Sequence, residues 1–147
     1  GSVYRHGSAL LETGTPRIAE AIGWGAAVEW LSEIDFKEMH SHIKRLALMA
    51  FEGMNAIEGI TVFSDPRRPD SNGTISFLHE GLSSEDLAML LDEGGFALRT
   101  GQHCAQPLMD ALGVASTNRI SLWLYNTEEE IQSFLDHLGM VCERFGT

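Results

Sequence analysis

The sequence predicts an α+β fold: a small sheet of about four strands covered by helices. Three observations point there. Apolar residues recur at helical spacing in the first third of the chain and again at its C-terminal end. Between these stretches, short strand-like runs alternate with helical ones. Hydrophobic residues make up 44% and charged residues 21% of the 147, a globular composition with enough length for one real core.

Taken in order, residues 1–15 carry Gly7, Ser8, Gly14 and Thr15 with no clear period, and an extended arm ending at "ETGTP" is expected. Gly1-Ser2 reads as a cloning scar and carries no weight in the fold. Residues 16–147 are expected to form the domain itself. Thr15-Pro16 suits the first turn of a helix. Ile18, Ile22, Ala26 and Trp30 then continue that helix from Arg17 to about Leu31. Gly23 and Gly25 weaken it by about 1 kcal/mol each relative to alanine, so their expected use is close approach by another backbone. A second helix starts near Asp35 and ends near Gly53, with Phe36, Met39, Ile43, Leu46 and Ala50 on one stripe.

The period then changes. Ile60 to Phe63 reads as a strand, closed by the turn-rich "SDPRRPDSNG", and Thr74 to Leu78 reads as a second. In "LSSEDLAMLLDEGG", Ser83 and Asp86 form a capping-box pattern and Gly94-Gly95 stops the helix. Phe96 to Arg99 reads as a third strand, Ala105 to Leu112 as a short helix, and Arg119 to Leu124 as a fourth strand. The last helix is capped by Thr127 with Glu130, and its stripe is Ile131, Phe134, Leu135, Leu138, Val141 and Phe145. Two helices are thus followed by β-β-α-β-α-β-α, which favours a sheet with helices on one face.

A net charge of −11 argues against nucleic acid, whose phosphates call for a basic face. No apolar run approaches the roughly 20 residues that span a bilayer, and no signal-peptide pattern is present. The two cysteines, Cys104 and Cys142, form no zinc spacing, and low cysteine usage fits a reducing, cytoplasmic setting.

Chemistry concentrates in "ALRTGQHCAQPLM". The thiolate is the reactive form of cysteine, favoured by a helix start or a neighbouring cation. Cys104 has a helix start at Ala105, with Arg99 and His103 nearby, while Gly101 frees the loop to move or to take positive φ. The bland alternative is a small buried hydrophobe, and that reading is favoured for Cys142 beside Val141. Arg119 opens a predicted strand, and an arginine there can clamp a carboxylate through two parallel hydrogen bonds. A solvated surface arginine is the competing reading for Arg119 and for Arg99. His40 and His42 point to different helix faces, so a shared metal site is not expected. His103, adjacent to Cys104, is expected to point elsewhere rather than act as its base.

"LETGTPRIAEAIGWGAAVEWL", "RTGQHCAQPLM" and "NRISLWLYNTEEEI" together resemble the C-terminal part of a Suf-type, group II cysteine desulfurase, in the class V branch of the PLP-dependent aminotransferases. The resemblance runs from about Leu11 onward. It implies the C-terminal small domain of a fold-type I PLP enzyme, a small antiparallel sheet covered by helices. It implies that Cys104 is the nucleophile that takes sulfur from L-cysteine as a persulfide, and that Arg119 binds the substrate carboxylate. Arg99 would stand close to the active site, at the start of the loop that holds Gly101 and His103. Thr15 would reach the pyridoxal 5'-phosphate (PLP) phosphate of the neighbouring subunit in a homodimer. The family commonly has His-His before the cysteine; Gln102 replaces the first here.

A PLP enzyme needs a Schiff-base lysine, and only Lys37 and Lys44 are present, neither in surroundings like the family's lysine motif. The resemblance therefore implies that the large PLP domain lies N-terminal to this sequence. PLP would belong to the intact enzyme, with none bound covalently to this chain, which alone would be inactive. The implied partner is a sulfur-acceptor protein of the Suf type, in iron–sulfur cluster assembly. Two other readings stay open: a selenocysteine lyase or other class V β-lyase, and a stand-alone, non-catalytic binding or dimerisation module.

Overall fold

The computed structural model describes Gly7, Leu11 and residues 14–146, so most of the arm expected over residues 1–15 lies outside the described residues. The chain divides into two compact units, Gly1–Phe36 and Lys37–Thr147.

The first unit holds α1 (Ile18–Ser32), which begins after Pro16 as the sequence predicts. None of its side chains is buried. Its apolar residues do not form one stripe: Ile18, Ile22, Trp24, Val28 and Trp30 are all exposed. Among the described residues, a Cβ at Gly23 or Gly25 would meet nothing within 4 Å, so none of them makes the close approach expected there.

The second unit contains α2 (Phe36–Asn55, entered at the boundary), β1 (Ile60–Val62), β2 (Thr74–His79), α3 (Ser84–Glu93), β3 (Arg99–Gly101), α4 (Gln106–Leu112), β4 (Thr117–Ser121) and α5 (Glu128–Phe145). The four strands form one sheet in the order β1-β2-β4-β3, and every pairing is antiparallel. The architecture is thus the α+β fold with a small antiparallel sheet.

Strand alternation decides the layers. β2 buries Ile75, Phe77 and His79 and leaves Thr74, Ser76 and Leu78 half-buried. Ile75 and Phe77 join Ile120 of β4, Leu46, Ala50 and Met54 of α2, Leu87 and Leu91 of α3, and Phe134 and Leu138 of α5 in one core. Phe134 sets its ring edge-on to Phe77, centroids 6.3 Å apart, and to Phe96 at 5.7 Å. α4 is the exception to helices on one face. Its Leu108 and Met109 border a cavity with Ser76 and Arg119, which project from the opposite side of the sheet.

Two strands are displaced from their predicted positions. β3 runs over Arg99–Gly101 instead of Phe96–Arg99. Phe96 donates its N–H to Leu91 O at 3.1 Å, closing the end of α3, so it does not start the ladder. β4 spans Thr117–Ser121 instead of Arg119–Leu124. Its first two residues are polar yet fully buried. Past Ser121 the chain turns, with Leu122 donating to Gly73 O and Trp123 to the Asn126 side chain.

Candidate active site

The site is built on β3, the loop into α4, and β4. Arg99 pairs with Arg119, Thr100 with Asn118 and Gly101 with Thr117. Residues directly opposite in an antiparallel ladder share a face. Arg99 and Arg119 therefore project together from the face that also bears Ser76, the partner of Arg119 on β2. Two like charges in that register repel, which favours an anion between or above them. Arg119 is half-buried, and its Nε has no hydrogen-bond partner among the described residues.

The loop turns sharply after β3. Gly101 has φ 111°, and then His103 (φ 56°) and Cys104 (φ 59°) are consecutive non-glycine residues in the left-handed region. Each costs about 1–2 kcal/mol relative to a right-handed conformation. Ala105 N–H to Gln102 O, 2.9 Å, closes the turn, and Pro107 sits in the first turn of α4. The two side chains diverge, as expected. His103 turns to β4, where its Nε2 lies 3.1 Å from Thr117 O and 3.0 Å from Thr117 Oγ1. Cys104 is exposed, and Arg99 Nη2 donates toward its Sγ at 3.7 Å.

A carbonyl oxygen only accepts, so the contact with Thr117 O is a hydrogen bond with the proton on His103 Nε2. Burial pushes the imidazole below its ordinary value, and Arg119 and Arg99 push the same way against the opposing Thr117 hydrogen bond. The ring is therefore neutral at pH 7. Its Nδ1 is buried without a partner among the described residues. His103 and Arg119 share a cavity of about 310 Å³ with Ser64, Ser76 and Met109. The wider cleft between α2 and α5, about 960 Å³, contains neither cysteine nor either of these arginines.

Five of the six predicted site residues, Arg99, Gly101, His103, Cys104 and Arg119, fall in this one neighbourhood. Thr15 stands exposed before α1, in the first unit. Cys142 is buried on α5, and burial pushes its thiol up to about 11. Sequence reasoning missed Thr117, which reads as part of the polar loop "VASTN"; the available signal was a β-branched residue two positions before Arg119. The "YNT" motif does structural work here. Asn126 accepts from Trp123 N–H at 2.8 Å and donates to Glu130 at 3.0 Å, while Thr127 and Glu130 complete a capping box.

Both lysines of the sequence stand away from this neighbourhood. Lys37 and Lys44 lie on α2, which packs against the opposite face of the sheet from Arg99 and Arg119. Among the described residues, no group of three or more His, Cys, Asp or Glu side chains is placed to hold a metal ion, and no helix is long and apolar enough to cross a membrane.

The profile of the aminotransferase class-V family matches residues 1–134. The chain belongs to that family. Curated relatives include a probable cysteine desulfurase of Staphylococcus aureus (strain Mu50), 41% identical over 134 residues, which covers 91% of this chain and 32% of that protein. A cysteine desulfurase of Haloferax volcanii is 37% identical over 134 residues, covering 91% and 31%. Among solved structures, the cysteine desulfurase CsdA (S-sulfonic acid) from Escherichia coli superposes with a TM-score of 0.85 at 35% identity, over 96% of this chain and 34% of that one. The apo cysteine desulfurase from Thermococcus onnurineus NA1 gives 0.88 at 29%, over 98% and 36%. The chain thus spans about a third of the length of the curated relatives it matches.

Proposed function

We propose that this chain is the C-terminal small domain of a Suf-type cysteine desulfurase, with residues 16–147 forming the domain and residues 1–15 an arm. The intact protein is then a PLP-dependent homodimer. It removes sulfur from L-cysteine, leaves alanine, and passes the sulfur to a Suf-type acceptor protein for iron–sulfur cluster assembly in the cytoplasm. The observation that carries this reading is the grouping of an exposed thiol with two in-register arginines.

The chain's own residues divide the work. Arg119, with its guanidinium fork, binds the substrate carboxylate. Arg99 adds positive charge beside it and contacts Cys104 Sγ. Cys104 Sγ bonds to the substrate sulfur as the substrate C–S bond breaks, and holds the sulfur as a persulfide. Thr15 serves the phosphate site of the neighbouring subunit. PLP, when bound, supplies the electron sink for C–S cleavage, and its lysine anchor comes from chain beyond this sequence.

The test is the full-length reading frame with PLP, assayed for alanine and sulfide from L-cysteine. Cys104→Ser should remove turnover by about a hundredfold or more. Arg119→Lys, which loses the two-pronged geometry, should weaken cysteine binding or turnover by about tenfold. Wild-type kinetics in either variant contradicts the role assigned to that residue.

A further inference from the structure

We propose that His103 is a positioning residue for Cys104, a latch whose imidazole ties the cysteine loop to Thr117 of β4. The inference rests on Cys104 being the sulfur-accepting thiol.

The latch follows from what the loop lacks elsewhere. Ladder pairing of β3 with β4 ends at Gly101 and Thr117. Beyond it, His103 and Cys104 hold successive left-handed conformations that nothing in their residue types favours strongly. The bond from Ala105 N–H to Gln102 O is local to the turn. The Arg99–Cys104 contact runs back to β3. Across to β4 run the bonds from His103 Nε2 to Thr117 O and Oγ1, at 3.1 and 3.0 Å. Thr117 is a rigid anchor, fully buried and fixed in the ladder.

The geometry also says what the ring does not do. Its proton sits on Nε2 and is committed to Thr117, while Nδ1 is buried without a partner among the described residues. Sγ of Cys104 faces Arg99 instead. His103 thus acts through the backbone it holds, keeping Cys104 turned outward beside Arg99. Burial and the two arginines keep the ring neutral, so the same bond persists through the neutral pH range.

Three proteins test this: wild type, His103→Gln and His103→Phe. Glutamine places an amide N–H near the position of Nε2; phenylalanine keeps the ring's bulk without a donor. Amide hydrogen exchange at Cys104 and Ala105 is measured by NMR in the 147-residue chain, with α5 amides reporting global folding. Exchange at Ala105 should accelerate about tenfold or more in His103→Phe and return most of the way in His103→Gln, with α5 unchanged. Unchanged exchange in His103→Phe, or a glutamine variant as loose as the phenylalanine one, overturns the latch. In the wild type, ¹⁵N shifts should show the Nε2–H tautomer; an Nδ1–H tautomer overturns the latch even if a variant fails to fold. In the full-length enzyme, His103→Phe should lower kcat with little change in KM for cysteine, and His103→Gln should restore it; an unchanged kcat would show that the loop's geometry does not matter. The exchange and tautomer measurements need no sulfur chemistry, so a failed latch and a failed desulfurase reading give different results.

Discussion

Cys104 and Cys142 are chemically the same residue in opposite environments. Cys104 sits exposed in a left-handed turn with a guanidinium 3.7 Å from its sulfur. Cys142 faces the core, where desolvation raises its thiol to about 11. Limited alkylation of the folded chain at pH 7–8 should therefore label Cys104 and spare Cys142; preferential labelling of Cys142 in peptide mass spectra contradicts the assignment. Cys142 also has a linkage consequence. Its folded value lies above the ordinary thiol value of 9.0, so its stabilising contribution is complete below pH 9 and is lost as pH rises toward 11. Cys142→Ala should flatten the fall in stability over that window. Asn118 carries another residue-scale prediction. It is fully buried with both amide atoms unpartnered, opposite Thr100, whose Oγ1 is unpartnered too. An unpaired buried amide costs about 1–3 kcal/mol, so Asn118→Leu, close in volume, should hold or raise the urea midpoint. A clear drop would show that the amide is hydrogen-bonded in solution. That Cys104, Arg99 and Arg119 deserve a look together could be read from the sequence because reactive residue types cluster there in recognisable motifs; the structure makes them neighbours. Thr100, Thr117 and Asn118 could not be read this way, because their burial is imposed by strands and helices far away in sequence.

The helices of the second unit could be read because their signals are local. α3 and α5 begin at Ser83 and Thr127, whose side chains accept the third backbone N–H, and each buries the stripe that its periodicity marks. Phe36 and Phe145 end their stripes in exposed positions, where the helices run past the core. Strands β3 and β4 shifted by two or three residues because pairing is not a local property. Phe96 and Leu98 pack against the core outside any ladder, while Thr117 and Asn118 look like a loop and pair with β3. The turn into α5 draws on Asn126, Thr127 and Glu130 together, and His42 adds a 2.9 Å bond to Asn126 O. Thr127→Ala should therefore lower stability by about 1 kcal/mol, measured as a shift in the urea midpoint at constant slope. No shift would mean that Asn126 and His42 hold the turn without the cap.

At the scale of the whole molecule, an acidic chain carries two arginines in register, one on the edge strand β3 and one on its inner neighbour β4, beside its exposed cysteine. Fold class was legible because the order of short strands and helices leaves few compact arrangements. The apolar surface of α1 was not, because periodicity alone assigns a helix a single buried stripe and α1 is apolar on all sides. Both lysines lie on α2, on the face of the sheet away from the arginines. The most direct test of the account is to locate the sulfur. The 147-residue chain and the full-length reading frame are each incubated with PLP and L-cysteine, quenched with an alkylating agent, and digested for mass spectrometry. The account predicts one added sulfur on the Cys104 peptide of the full-length protein, none on Cys142, and none on the isolated chain above a PLP-only control. A Cys104 persulfide formed by the isolated chain, or alanine released by the full-length protein with Cys104 unmodified throughout, contradicts it.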